Sequence, residues 1–208
     1  MRKLLTGLCL AAAFTSVSSA VLAADSGFYI LGGAGQDTSS NSSDQTLLNN
    51  ALTSAGGTGF TSTMNQPTVS NLMAGYKINK NFAVEGGYIR SANETYTAAG
   101  GNLAGPVNAT AKVDGWDLTA VGIWPVVDQF SLLGKLGVAD ANISGSVSGP
   151  GGSVSASGSK TDFTYGIGAQ YDFTSAVFGR LDFDSYNIGN SSYSSRTTVW
   201  TVNIGYMF

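Results

Sequence analysis

The 208-residue sequence predicts an all-β fold: an eight-stranded antiparallel up-and-down transmembrane β-barrel. Three observations predict it. The N-terminus has the pattern of an export signal, hydrophobicity alternates with a period of two through most of the chain, and the connections between alternating segments are short and long by turns.

The chain opens with Arg2 and Lys3, then an apolar run from Leu4 to Phe14 and a small-residue segment from Thr15 to Ala24. Val21 and Ala23 occupy the two positions a signal peptidase reads, so residues 1–23 are expected to be a cleaved signal peptide. The apolar run is shorter than the ~20 residues a membrane-spanning helix needs. Cys9 lies within that run rather than after it and lacks a small residue before it, so a lipid-anchored cysteine is not expected.

Residues 24–208 then form one expected domain. It lacks cysteine and histidine, and its eight basic residues face thirteen acidic ones. Without disulfides, an exported domain must be held together by a core or by a membrane. Mild acidity argues against nucleic acid, which calls for a concentrated basic face.

The strands follow in order. Their expected extents are 27–36, 69–78, 82–91, 113–124, 129–142, 161–173, 177–186 and 196–208. From Thr161 to Phe173, the residues Phe163, Tyr165, Ile167, Ala169, Tyr171 and Phe173 share one face, opposite Thr164, Gly166, Gly168, Gln170 and Asp172. In the last strand Trp200, Val202, Ile204, Tyr206 and Phe208 oppose Thr201, Asn203 and Gly205. A period of two places such sets on opposite faces of a strand. The lengths suit tilted transmembrane strands of ~9–11 residues. Gly, Thr, Val and aromatic residues disfavour helix throughout, except for Asp44 to Ala55, where a short helix is expected inside the first long connection.

The connections orient the barrel. Residues 79–81, 125–128 and 174–176 are short, whereas 37–68, 92–112, 143–160 and 187–195 are long and rich in Ser, Thr, Asn and Gly. In an up-and-down barrel, all connections of one kind emerge at one end. Outer-membrane barrels have short periplasmic turns and long extracellular loops. A soluble β-sandwich shares the alternation but does not require the asymmetry of the connections. The long connections are expected to be solvated and mobile, with Gly149 to Gly152 a flexible tip.

The apolar parity carries aromatic residues at strand ends, as the girdles of a lipid-facing surface require. The lumen then receives Tyr29, Met73, Lys77, Glu85, Asp117, Lys135, Gln170, Arg180, Asp182 and Asp184. Charges in so narrow a space need partners. Glu85 is expected to pair with Lys135 and Arg180, with Asp182 sharing the arginine. Lumen glycines, including Gly33, Gly35, Gly75, Gly87, Gly166, Gly168 and Gly205, leave space that water could occupy if the lumen were a conduit.

These residues resemble a known family. The run from Tyr76 to Tyr88 (YKINKNFAVEGGY), Leu118 to Ala120 with Trp124 and Pro125, Gly168 to Tyr171 and Arg180 to Phe183 resemble the OmpA-type small outer-membrane barrels. The closing Tyr206, Met207 and Phe208 resembles their assembly signal. The resemblance covers most of residues 24–208 but not the long connections. It implies a bacterial outer-membrane location after export through the periplasm. The implied partners are outer-membrane lipid, periplasmic chaperones and the barrel-assembly machinery, which reads Tyr206 and Phe208. It also implies a gated lumen ion-pair network at Glu85, Lys135 and Arg180. Two positions depart: Val121 stands where a lumen lysine is expected and Gln170 where a glutamate is. Losing one residue of each sign keeps the balance but weakens the case for a conducting switch. The peptidoglycan-binding domain of larger relatives is not expected.

No enzyme is expected. Without histidine, Ser-His and Asp-His catalytic pairs are impossible. Asp182 and Asp184, two apart in a strand, read as lumen residues beside Arg180. The aspartates are scattered, without the grouping of a calcium loop, and no Gly-Lys-Ser follows Gly149 to Gly152, so neither metal nor cofactor is expected. Two functions remain: surface contact with host or environment through the first three long connections, or a narrow porin-like conduit through the lumen. A side-chain-filled interior is the rule at eight strands, which favours surface contact.

Overall fold

A computed structural model describes residues 26–38, 41–187 and 196–208. The expected signal peptide, and residues 188–195 of the fourth long connection, lie outside the described residues. The elements are β1 (Gly27–Asp37), α1 (Asn41–Ser54), β2 (Thr61–Met64), β3 (Thr68–Asn79), β4 (Phe82–Ser91), β5 (Glu94–Ala99), β6 (Val107–Val127), β7 (Phe130–Gly149), β8 (Gly152–Asp172), β9 (Val177–Asn187) and β10 (Arg196–Met207).

Eight strands close into a ring in the order β1-β3-β4-β6-β7-β8-β9-β10, every pair antiparallel. Closure comes from β1 against β10, with Tyr29 opposite Met207 and Asp37 opposite Val199. A closed ladder leaves no unpaired edge in lipid, where an unpaired backbone group is costly. The short turns are tied locally. Asn79 Oδ1 accepts from the backbone N–H of Asn81 and Phe82 at 2.8 and 3.0 Å. Thr174 Oγ1 accepts from those of Ala176 and Val177 at 3.2 and 2.9 Å.

Burial is inverted relative to a water-soluble protein. Leu136 and Ile204 are each 64 % exposed, whereas Glu85 is fully buried and Arg180 nearly so. Apolar side chains therefore clothe the outside, as expected, and charge is held within. Phe28 faces Tyr76 directly across β1 and β3 with ring centroids 4.7 Å apart, near the short turns. Tyr88 and Trp116 pair in the same way at 5.0 Å, toward the long connections. Such cross-strand aromatic pairs stabilise a sheet by ~0.2–1 kcal/mol each and mark the two rims of the apolar band.

Three long connections, expected as loops, carry regular secondary structure. Connection 92–112 contains β5 and the first part of β6, and connection 143–160 is an unbroken β-hairpin formed by β7 and β8. Gly149 to Gly152 forms a tight turn at the hairpin tip, Gly149 pairing with Gly152, whose φ is +122°. Pairing continues because the alternation does not stop at the membrane edge; it reverses polarity. On β7 and β8 the lumen-side face becomes Ala139, Ala141, Ile143 and Val147 against Val154 and Ala156. The outer face becomes Ser144, Ser146 and Ser148 against Ser157, Ser155 and Ser153. Thr110 Oγ1 and Ser146 Oγ, 2.8 Å apart, join β6 to this hydroxyl face.

In the first connection, α1 covers the expected helix and begins three residues earlier. Its end is capped by Gly56 at φ +93°, with Gly57 N–H donating to the Leu52 carbonyl at 2.9 Å. Only glycine adopts that conformation without strain. α1 meets the added strand β5 through Tyr96 Oη, which donates to Asn49 Oδ1 at 2.7 Å, and β2 through Gln45 Nε2, which donates to the Ser62 carbonyl at 3.0 Å.

Candidate functional site

The residues that sequence alternation placed in the lumen are all buried there, and several meet in one cluster. Strand β4 brings Glu85, β7 brings Lys135, β8 brings Gln170, and β9 brings Arg180, Asp182 and Asp184, each from the parity opposite the lipid.

Arg180 organises the cluster. Its Nη1 donates to Glu85 Oε1, and the Tyr29 hydroxyl donates to the same oxygen at 2.6 Å. Gln170 Oε1 accepts from Arg180 Nε and Nη2 at 3.2 and 2.9 Å. Gln170 Nε2 in turn donates to Asp172 Oδ1 at 2.8 Å. An amide thus supplies the acceptor that a glutamate would supply, without adding charge. The guanidinium lies 5.4 Å from the Phe178 ring centroid and 5.7 Å from that of Tyr29, within cation–π range.

Lys135 forms the second centre. Its Nζ lies 3.2 Å from Asp184 Oδ2, 3.6 Å from Asp182 Oδ1 and 3.8 Å from Glu85 Oε2. Asp182 therefore lies with the lysine rather than sharing the hydrogen bonds of Arg180, which corrects the sequence expectation. The reason is geometric: Gln170, directly opposite Arg180 in the β8–β9 register, engages Nε and Nη2, while Nη1 is turned to Glu85. Asn203 Nδ2 donates to Asp182 Oδ2 at 2.9 Å. Alternation had put Asn203 on the lumen face without assigning it a partner, and Tyr29 likewise. Lys77 is buried near the short turns and makes none of these contacts, and Asp117 lies toward the opposite mouth.

The lumen glycines do not hold open space, in line with the side-chain-filled interior that is the rule at eight strands. A β-carbon at Gly75 would overlap the Tyr29 ring, one at Gly205 the Phe178 ring, and one at Gly87 the Met73 sulfur. Asp184 and Asp182 fill the spaces over Gly166 and Gly168. Large side chains thus dock into slots left by glycines on neighbouring strands. Tyr29, Met73 and Phe178 also belong to a buried apolar cluster with Leu31, Ala83, Val121, Leu133 and Met207. Val121 takes its place there as packing.

At the end of the last strand, Tyr206 and Phe208 point outward, 48 % and 72 % exposed, with ring centroids 5.2 Å apart. The Phe208 backbone N–H donates to the Phe28 carbonyl at 2.9 Å, so the last residue still joins the ladder.

Known structures share this architecture. Ail of Yersinia pestis is 19 % identical, with 88 % of this chain and 99 % of that chain covered at a TM-score of 0.52. It has also been solved with the heparin analogue sucrose octasulfate. The N-terminal β-barrel domain of OprF from Pseudomonas aeruginosa is 13 % identical over 89 % and 100 % of the two chains, at a TM-score of 0.53. The outer membrane protein OprG of the same organism is 13 % identical over 90 % and 99 %, also at 0.53. At these identities the likeness is one of fold. No curated protein sequence matches the chain. The sequence profile of the outer membrane protein beta-barrel domain matches residues 8–208, and the chain belongs to that family of bacterial outer-membrane barrels.

Proposed function

We propose that this protein acts at the cell surface, with a closed barrel anchoring a raised β-platform that contacts host or environment. The observation that carries the reading is the filled lumen. Arg180, Glu85, Gln170 and Lys135 span it with ion pairs and hydrogen bonds, and the glycine slots around them are occupied by neighbouring side chains. A conduit would need these contacts to break together, whereas a platform needs them intact. Strands β6, β7 and β8 meanwhile extend well past the aromatic rim and present the serine-rich outer face.

The platform's chemistry favours a neutral, hydrogen-bonding partner. The polyanion bound in the Ail complex is not what this surface suits. Lys112 is tied to Asp114 at 3.1 Å and Lys160 to Asp162 at 2.8 Å, so both lysines of the raised strands are already neutralised. Replacing residues 143–159 with a short turn should abolish attachment of expressing cells to host-cell or matrix surfaces while leaving folded barrel in the membrane. The purified parent protein should give no conductance steps in planar bilayers. Steady single-channel conductance, with attachment unchanged by the replacement, would make the conduit the better reading.

A further inference from the structure

The mouth of the barrel holds a cavity of about 100 Å³ above the ion-paired cluster. Much of its wall is apolar, from Val69, Ile89, Val113, Ala139, Ala141 and Val199. These belong to the raised strands' inner face and to the strand ends around it. Into this setting the protein places Asp117 and Glu94, neither of which makes a salt bridge among the described residues. Lys112 and Lys160 also line the cavity, but each is paired with its own aspartate.

Asp117 is the most telling of these groups. It lines the cavity, is only 7 % exposed, and its Oδ1 is buried without a hydrogen-bond partner. Leaving a buried acceptor unsatisfied costs ~1–3 kcal/mol, more for a charged group. Higher on the wall, burial and the nearby Asp44 and Asp37 hold the Glu94 carboxyl above its usual range. The lumen beneath sets Glu85, Asp182 and Asp184 against Lys135 and Arg180, an excess of one acid. Both the field and the orphaned oxygen call for a positively charged donor, while the wall calls for hydrocarbon. A second cavity shares Glu94 and Ala111 with the first and continues toward Leu48 and Tyr96, giving a path outward.

We propose that this vestibule binds a small organic ammonium compound, its N–H groups donating to Asp117 and its hydrocarbon body against Val113, Ala139 and Ala141. The volume suits a body of roughly four carbons, given that an apolar cavity of about 150 Å³ accepts benzene. A metal ion is not favoured, because among the described residues no three carboxylates stand together as the oxygen ligands a hard cation needs. An organic anion would meet Asp117 and Glu94. Binding at the mouth requires no passage through the lumen. The proposal therefore stands apart from the surface-contact reading, and attachment or conductance data bear on that reading alone.

The test uses the full folded protein in phospholipid nanodiscs, followed by backbone amide NMR during titration with n-butylammonium, n-butanol or n-butyrate. Saturable shifts confined to the amides around Val113, Ala139 and Ala141 are expected with n-butylammonium alone. Asp117→Asn should weaken binding about thirtyfold or more, the scale of losing one partner of a buried charge pair, and Glu94→Gln should weaken it less. If Asp117→Asn fails to fold, Glu94→Gln decides, because residue 94 lies in an added strand outside the barrel ring. Non-saturating shifts, an equal response to n-butanol, or affinity unchanged in the variant that folds would overturn the proposal.

Discussion

The phenol ring of Tyr29 lies over Gly75 on the neighbouring strand, in the space a side chain at position 75 would fill. The contact aims the Tyr29 hydroxyl at Glu85, so a residue with no side chain positions part of the ion-pair cluster. Valine has much the higher intrinsic preference for a strand, yet Gly75→Val should destabilise the barrel by ~1–3 kcal/mol through overpacking. Gly134→Val is the internal control, since nothing lies within 4 Å of a β-carbon there. Urea unfolding in lipid should separate the two, and a neutral or stabilising Gly75→Val would show that the ring is not held in that slot.

Glu85 should be coupled more strongly to Arg180 than to Lys135. It accepts a hydrogen bond from Arg180, whereas Lys135 Nζ approaches its second oxygen only to 3.8 Å. Glu85→Gln alone should cost ~3–5 kcal/mol, because one partner of a buried pair is removed. Double-mutant cycles with Arg180→Met and Lys135→Met, read by urea unfolding, should show the difference. Strict additivity in both cycles rules the network out as an energetic unit.

The alternation of turn lengths should be visible on whole cells. Epitope tags inserted after Gly56 and after Gly151 should bind antibody on intact cells, and a tag after Asn79 should bind only after permeabilisation. Equal labelling of all three would overturn the orientation.

Deleting Phe208 should impair assembly more than stability. The ring is 72 % exposed, so its loss removes at most about 1–2 kcal/mol of apolar burial. That is small against a closed ladder in which the backbone is paired. Folded protein in the outer membrane of living cells should drop sharply, while the variant refolded into detergent should keep the heat-dependent gel mobility of the parent. Parental levels in cells would remove the case for an assembly signal, and failure to refold would make the effect one of stability.

Much of this was legible in the sequence because a period of two is a strong signal. Alternation from Phe163 to Phe173 fixes which side of β8 meets lipid, and the same logic put Glu85, Lys135 and Arg180 inside. Partner choice among buried charges was not legible. Whether Asp182 meets Arg180 or Lys135 depends on cross-strand register and side-chain reach, and parity reports neither. Polarity alone also misread the long connections. Ser144 to Ser157 looks like a solvated loop by composition, but its serines alternate with Gly, Val and Ala, and a strand already paired in the barrel extends readily along such a pattern. The glycine slots were missed for a related reason: a glycine in a strand says that space exists, not which neighbour fills it.

The uninterrupted course of β7 and β8 from lumen to tip has a mechanical consequence. From Val138, the last apolar residue on the outer face of β7 before the polarity reverses, to Gly149 is eleven residues, or about 36 Å of strand. A partner tugging on the tip would draw both strands lengthwise out of the barrel wall. Their rungs would then bear the load side by side, as in a lap joint, instead of parting one after another like a zip. With no hinge between tip and wall, force applied at the surface would pass into the strands that carry Lys135 and Gln170.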